Sequence, residues 1–261
     1  MKVYVSTDLE GISGITTWEQ TREFASPHYQ HARHLLTREV NACVQGCLDG
    51  GATEIVVLDG HAGGYNFVPD ELHPGATYVT GTCRPAWFCG LDESVDAAIL
   101  LGYHAMVGTP NAVLAHTQSS RSGNRYWYNG QESGEIAQSA IVCGYYSVPV
   151  VLVTGDEAAC VEARALLGDG ITTASVKKGL SITSCLMVPP QRAWEMVQKA
   201  AAEALGSVGR CQPYKISTPI QARLKFPTRE IADAAACQLS QRVDDTTYER
   251  LVESPLDILK F

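Results

Sequence analysis

Short runs rich in apolar and β-branched residues recur at positions 2–8, 54–59, 77–81, 98–104 and 148–154, bounded by Gly, Asp or His. Between several of them apolar residues return at helical spacing, over about 31–48, 133–145 and 158–167. Fully apolar strands separated by amphipathic helices predict an α/β protein: a three-layer α/β/α arrangement around a mainly parallel or mixed sheet. One hairpin interrupts the alternation, because Tyr126-Trp127-Tyr128 runs into Asn129-Gly130, a strong two-residue turn. From about residue 171 the pattern changes. A strand-like 171–176 precedes Pro189-Pro190 and a helix over 191–205, followed by a strand at 220–226, a helix over 229–239 and a strand at 248–252. The division expected is a catalytic α/β domain over residues 1–170 and a smaller α+β subdomain over 171–261. The chain shows no internal repeat and no low-complexity tract.

The 261 residues are 45% hydrophobic, enough for a sizeable core and too apolar for a disordered chain. With 28 acidic against 20 basic residues and a net charge of −8, the chain lacks the basic stripe that a nucleic-acid partner requires. The basic pair Lys177-Lys178 reads as part of a solvated face. No apolar run approaches the roughly 20 residues that span a bilayer. The N-terminus turns polar at Ser6, Asp8 and Glu10, too early for a signal peptide, so the expected compartment is the cytoplasm. The nine cysteines sit mostly in apolar segments, and reduced, buried thiols are the expectation.

No GxSxG elbow, phosphate loop, HExxH or strand-following GxGxxG is present. Acids and imidazoles instead gather at the ends of predicted strands: Asp8 and Glu10 after the first, Asp59 and His61 at the second, His104 after Gly102-Tyr103. Open α/β sheets bind ligands outside the carboxyl ends of their strands, so these groups are expected in one crevice. Carboxylates crowded there repel unless a cation lies between them, and mixed N/O ligation suits zinc, with manganese or cobalt as alternatives. Taken singly, each has an ordinary role as a turn cap, a solvated acid or a core histidine.

Ser6-Thr7-Asp8-Leu9-Glu10-Gly11 fits an SxDxEG pattern, and in this the chain resembles the zinc-dependent D-aminopeptidases of the DppA type, encoded with dipeptide-transport genes. The similarity continues in order through Asp59-Gly60-His61, Gly102-Tyr103-His104, Ala115-His116, Gly134-Glu135, Gly144-Tyr145-Tyr146 and Gly155-Asp156. The resemblance implies two zinc ions per subunit, held by Asp8, Glu10, His61, His104 and Glu135, with His116 as a catalytic histidine. It also implies short peptide substrates beginning with D-residues such as D-alanine, and a ring-shaped homo-oligomer, a decamer in that family. The Gly- and Ser-rich stretch 119–124 departs from the better-matched segments and is expected to shape the substrate pocket.

Five ligands for two ions require a bridging carboxylate, for which Asp8, the first acid off the strand, is the choice. Two such ions activate water at neutral pH and polarise the scissile carbonyl. A free substrate α-amino group on one ion would explain cleavage at the N-terminus. His116 then either stabilises the oxyanion or delivers a proton to the leaving amine. Asp59 is either an acceptor for a ligand imidazole or a turn-stabilising carboxylate. His28, His31 and His34, though spaced three apart, read as an exposed first helical turn, and Tyr126, Trp127 and Tyr128 as packing residues. The rival readings are an aminopeptidase or amidase accepting L-residues, and a non-catalytic dipeptide-binding component of a transporter. A periplasmic binder must be exported, and the polar N-terminus weighs against it.

Overall fold

Val3 and Val5 point into one hydrophobic core and Tyr4 into another; Ala97, Ile99 and Leu101 share the first, Ala98 and Leu100 the second. This period of two, apolar on both sides, belongs to strands buried between two layers. The computed structural model describes residues 1–235 and 237–261. In chain order its elements are β1 (Lys2–Thr7), α1 (Glu19–Arg22), α2 (Pro27–Asp49), β2 (Glu54–Asp59), β3 (Thr77–Val79) and β4 (Ala97–Tyr103). Next come β5 (Arg125–Tyr128), β6 (Gln131–Glu132), α3 (Glu135–Tyr145), β7 (Val150–Asp156), α4 (Glu157–Leu167), β8 (Thr172–Ser181) and β9 (Ser184–Met187). The chain closes with α5 (Pro190–Leu205), β10 (Ile220–Lys225), α6 (Arg229–Ala234), β11 (Gln241–Arg242) and β12 (Thr247–Val252).

The large sheet has the order β3-β2-β1-β4-β7-β8-β9, parallel throughout except for the antiparallel β8–β9 hairpin. Helices α2 and α5 cover one face, and α3 and α4 contribute to the core on the other. The strand order reverses between β1 and β4, which makes their carboxyl ends the crevice of the sheet. A second, antiparallel sheet, β11-β12-β10-β5-β6, sits on the α3 side, with Ile220, Ala222 and Leu224 of β10 turned into the shared core. The β5–β6 turn has φ of +51° at Asn129 and +83° at Gly130, as a type I′ hairpin demands. Tyr126 and Tyr128 of that hairpin are core residues.

Two expectations need correction. The boundary at residue 170 does not divide the sheets. Strands β8 and β9 complete the large sheet, whereas β5 and β6, from the first half of the chain, pair with β10 in the small one. The helix expected over 229–239 ends at Ala234, with Ala235 extended; residue 236 lies outside the described residues. Ala232 is that helix's buried residue, too small an apolar face to sustain further turns. All nine cysteines are free thiols, five of them buried. Among the described residues no helix is long and apolar enough to cross a membrane.

Candidate metal centre

Three neighbouring strands, β2, β1 and β4, deliver the acids and imidazoles. Asp8 follows β1 directly, and its N–H donates to the Leu101 carbonyl (2.8 Å), while Gly11 N–H donates to Gly102 O (2.7 Å). The segment after β1 is thus folded tightly over the end of β4. The approach leaves no room for side chains: a Cβ on Gly11 would lie 2.1 Å from the Tyr103 carbonyl, and one on Gly102, whose φ is +73°, 2.4 Å from that of Asp8. His61 opens a short turn after β2. His104 follows β4, and Glu135 is the first residue of α3, where the helix dipole favours a carboxylate. Behind them, Tyr103 OH joins Ser6 Oγ (2.9 Å) to Ser139 Oγ (3.0 Å), tying β1, β4 and α3 together.

The structure brings all six expected residues together. His61 Nδ1 stands 3.0 Å from both Asp8 Oδ1 and Glu10 Oε2. His104 Nε2 is 3.4 Å from Asp8 Oδ2 and 3.4 Å from Glu135 Oε1. His116 stacks on His104 with ring centroids 3.9 Å apart, and its Nε2 is 3.8 Å from Glu135 Oε1. In each imidazole the other nitrogen meets a backbone carbonyl: Thr21 O for His61 (3.0 Å), Ala105 O for His104 (2.9 Å) and Leu114 O for His116 (2.8 Å). A carbonyl only accepts, so that nitrogen carries the hydrogen, and the nitrogen facing the carboxylates is bare in the neutral ring. Bare nitrogen against carboxylate oxygen is lone pair against lone pair. A proton or a metal ion must stand between them. Asp8 Oδ2, Glu10 Oε2 and His104 Nε2 are buried with no hydrogen-bond partner. Ligand atoms around a tetrahedral zinc at about 2.0–2.1 Å are roughly 3.3 Å apart, close to the separations found here. The donor set fits zinc.

Without metal, protons balance the charge. Burial opposes charge on His61 and His104, but the carboxylates outweigh it: Glu10 and Asp8 hold His61 well above the usual imidazole range, and Glu135 and Asp8 push His104 up to about 10. Burial raises Glu10 and Glu135 too, yet His61 brings Glu10 well below its ordinary value and His104 brings Glu135 down to about 2. Asp8 goes the other way, to about 6, through burial and the repulsion of Glu10. His116 is lowered by burial and by the charge on His104.

Asp8, Glu10, His61, His116 and Glu135 form the floor of a cleft of about 510 Å³ whose walls include Arg22, Arg84, Trp87 and the 118–121 segment. Arg22 is held rigidly, its guanidinium 3.6 Å over Trp18 and its Nε donating to Ser120 Oγ at 2.8 Å. These arginines carried no motif that marks them in the sequence. Asp59 proves to be the turn-stabilising carboxylate: it accepts from Asn66 N (2.7 Å) and Asn66 Nδ2 (2.6 Å), and bonds no imidazole. His28 and His31 are exposed and His34 pairs with Glu71 at 2.8 Å, away from the cluster. The solvated reading of Lys177 is overturned. Its side chain is buried, and its ammonium donates to the carbonyls of Glu10, Ile12 and Ile15. A register shift at Gly155/Asp156 puts both Val176 and Lys177 inside, so simple alternation along the strand misplaces the lysine.

The family model described as D-aminopeptidase, peptidase M55, matches residues 1–261. A D-aminopeptidase of Bacillus subtilis (strain 168) is 35% identical over 215 residues, covering 82% of this chain and 77% of that protein. Among solved structures, the zinc-dependent D-aminopeptidase DppA from Bacillus subtilis, a self-compartmentalizing protease, superposes with a TM-score of 0.91 at 29% identity. That match covers 99% of this chain and 94% of the other.

Proposed function

The chain belongs to the M55 family of D-aminopeptidases and is a metallo-aminopeptidase, and on that premise we propose a binuclear zinc enzyme that releases N-terminal D-residues, D-alanine among them, from short peptides. The observation that carries the two-ion reading is the disposition of Asp8. Its Oδ1 faces His61 and its Oδ2 faces His104, so one carboxylate serves two clusters: Glu10 with His61, and Glu135 with His104. Asp8 would then contribute to both sites. Zinc bound there supplies Lewis acidity toward the scissile carbonyl and lowers the pKa of water.

The remaining work falls to the chain itself. His116 keeps its Nδ1 hydrogen on Leu114 O, which leaves Nε2 to take a proton from the attacking water and pass it to the leaving amine. Burial lowers that imidazole below its usual range, favouring the neutral state in which it accepts. Arg22, Arg84 and Arg121 put positive charge along the cleft walls, where the carboxylate end of a short peptide leaves the floor. Assembly from several copies is part of the same reading. It is supported by the self-compartmentalizing relative and by Leu180, Ile182, Leu186 and Met187, apolar side chains left exposed at the β8–β9 edge.

The test is hydrolysis of D-Ala-D-Ala and L-Ala-L-Ala, followed by the release of free alanine, in zinc-loaded and chelator-stripped protein. The D-peptide is expected to be cleaved, with activity lost on stripping and restored by zinc. Cleavage of the L-peptide alone, or turnover that survives stripping, overturns the reading.

A further inference from the structure

Lys177 lies on β8, three strands from β1 in the sheet, yet its side chain reaches the segment that carries Glu10. Its Nζ is 2.6 Å from Glu10 O, 2.9 Å from Ile12 O and 2.6 Å from Ile15 O. An ammonium has three donors and no acceptor, and here all three are used. The partners are neutral carbonyls rather than a carboxylate, an expensive way to bury a charge unless those carbonyls need it. They do. Residues 9–14 form only bends and turns; Ile12 O accepts from Ile15 N–H (3.2 Å), whereas the Glu10 and Ile15 carbonyls converge where no strand or helix supplies an N–H.

The two ends of this segment are fixed differently. Asp8 is held from β4, by its bond to Leu101 O, independently of Lys177. The Glu10 side chain has no such anchor: its Oε2 meets His61 Nδ1 at 3.0 Å and has no hydrogen-bond partner besides, so its position follows from its backbone. That backbone is tethered twice in one peptide unit, by Gly11 N–H on Gly102 O of β4 (2.7 Å) and by Lys177 on the Glu10 carbonyl (2.6 Å), and the second tether is the one that also gathers Ile12 and Ile15.

We propose that Lys177 is a positioning residue of the metal centre, gathering the carbonyls of Glu10, Ile12 and Ile15 so that the Glu10 carboxylate is held opposite His61. The ion shared by Glu10 and His61 depends on it; the ion at His104 and Glu135 does not. This rests on the two-ion reading above, and the experiment separates the two. Chelator-stripped protein is titrated with zinc against a competing indicator, with stoichiometry read by native mass spectrometry. Wild type taking up fewer than two ions contradicts the two-ion reading before any variant is compared. With two bound, Lys177→Met is expected to keep its fold by circular dichroism, bind one ion normally and bind the other about 10–100-fold more weakly, the usual cost of losing a group that orients a ligand. Val176→Ala, a buried neighbour on the same strand, serves as the destabilised control and should lower Tm with both affinities unchanged. If Lys177→Met behaves like that control, or weakens both ions alike, the proposal falls. Should the methionine variant not fold, Lys177→Gln enters the same titration under the same criterion.

Discussion

His104 and His116 lie ring on ring, yet the two are expected to fail differently when removed. His104 Nε2 faces Asp8 and Glu135 together and has no other partner, so His104→Ala should lower zinc content and turnover in step. His116 Nε2 stands farther from Glu135 and lines the cleft. His116→Ala should retain its zinc and lose roughly 10²–10⁴-fold in kcat; elemental analysis beside steady-state kinetics checks both, and a metal-free His116→Ala would move that residue into the ligand set. Glu39 makes a separate, pH-dependent contribution to stability. Burial, eased by the Ser13 N–H and by Lys177, raises its carboxyl from 4.5 to about 7. The unfolded chain ionises this group near 4.5 and the folded chain near 7, so the folded state holds the extra proton between those values. Stability therefore falls as pH rises through that window. Glu39→Gln should remove this component, gaining on wild type by at most roughly 3 kcal/mol between pH 5 and 7.5, as read from urea midpoints. Parallel profiles for the two proteins would rule the effect out. Asp8, His61 and His104 were legible in the sequence because they sit one or two positions beyond strand ends, with Glu10 two residues after Asp8, whereas Glu135 and His116 were reached through the family resemblance. Lys177 was not legible, since its burial depends on a bulge between β7 and β8 that no local pattern reveals.

The segment between β1 and α1 is an element in its own right, shaped by contacts that tolerate nothing larger than hydrogen. Gly102→Ala would set a Cβ 2.4 Å from Asp8 O and 2.5 Å from Ile12 Cδ1, at a φ of +73°. Backbone strain and overlap together amount to roughly 2–5 kcal/mol, a fall in Tm of roughly 5–15 °C for a chain of this size. Zinc content should fall with it, because the displaced group is Asp8. Gly51→Ala isolates the strain, having φ of +89° with nothing within 4 Å of the new atom; thermal melts of the two variants should differ clearly. The long apolar strands and the Asn129-Gly130 turn could be read from the sequence with little error. Helix α2 begins at Pro27, earlier than apolar spacing indicates, because Ser26 caps it and proline suits its first turn; the polar residues there hide the start. Strand β9 left no readable trace, since all but one of its four residues are exposed.

At the scale of the molecule, the β8–β9 edge is the surface expected to meet another copy. Leu186 there is 61% exposed beside Met187 and Leu180. Light scattering should give a mass several-fold above the 28.1 kDa chain, and Leu186→Asp should lower it; a monodisperse wild-type monomer would remove the assembly without touching the chemistry. The expected split at residue 170 failed because the chain supplies the small sheet from two distant stretches, a long-range pairing to which local periodicity is blind. That same pairing sets an order of events during synthesis. Asn129 bonds across to Ser217 and Gln221, 88 and 92 residues later. At about 5–20 residues per second, the β5–β6 hairpin waits several seconds for β10 to leave the ribosome. The residues of the metal cluster, the last of them Glu135, are all made before then, whereas the 118–121 wall of the cleft leads into a hairpin still without its partner. The residues of the cleft floor are thus synthesised before the strand that secures its wall.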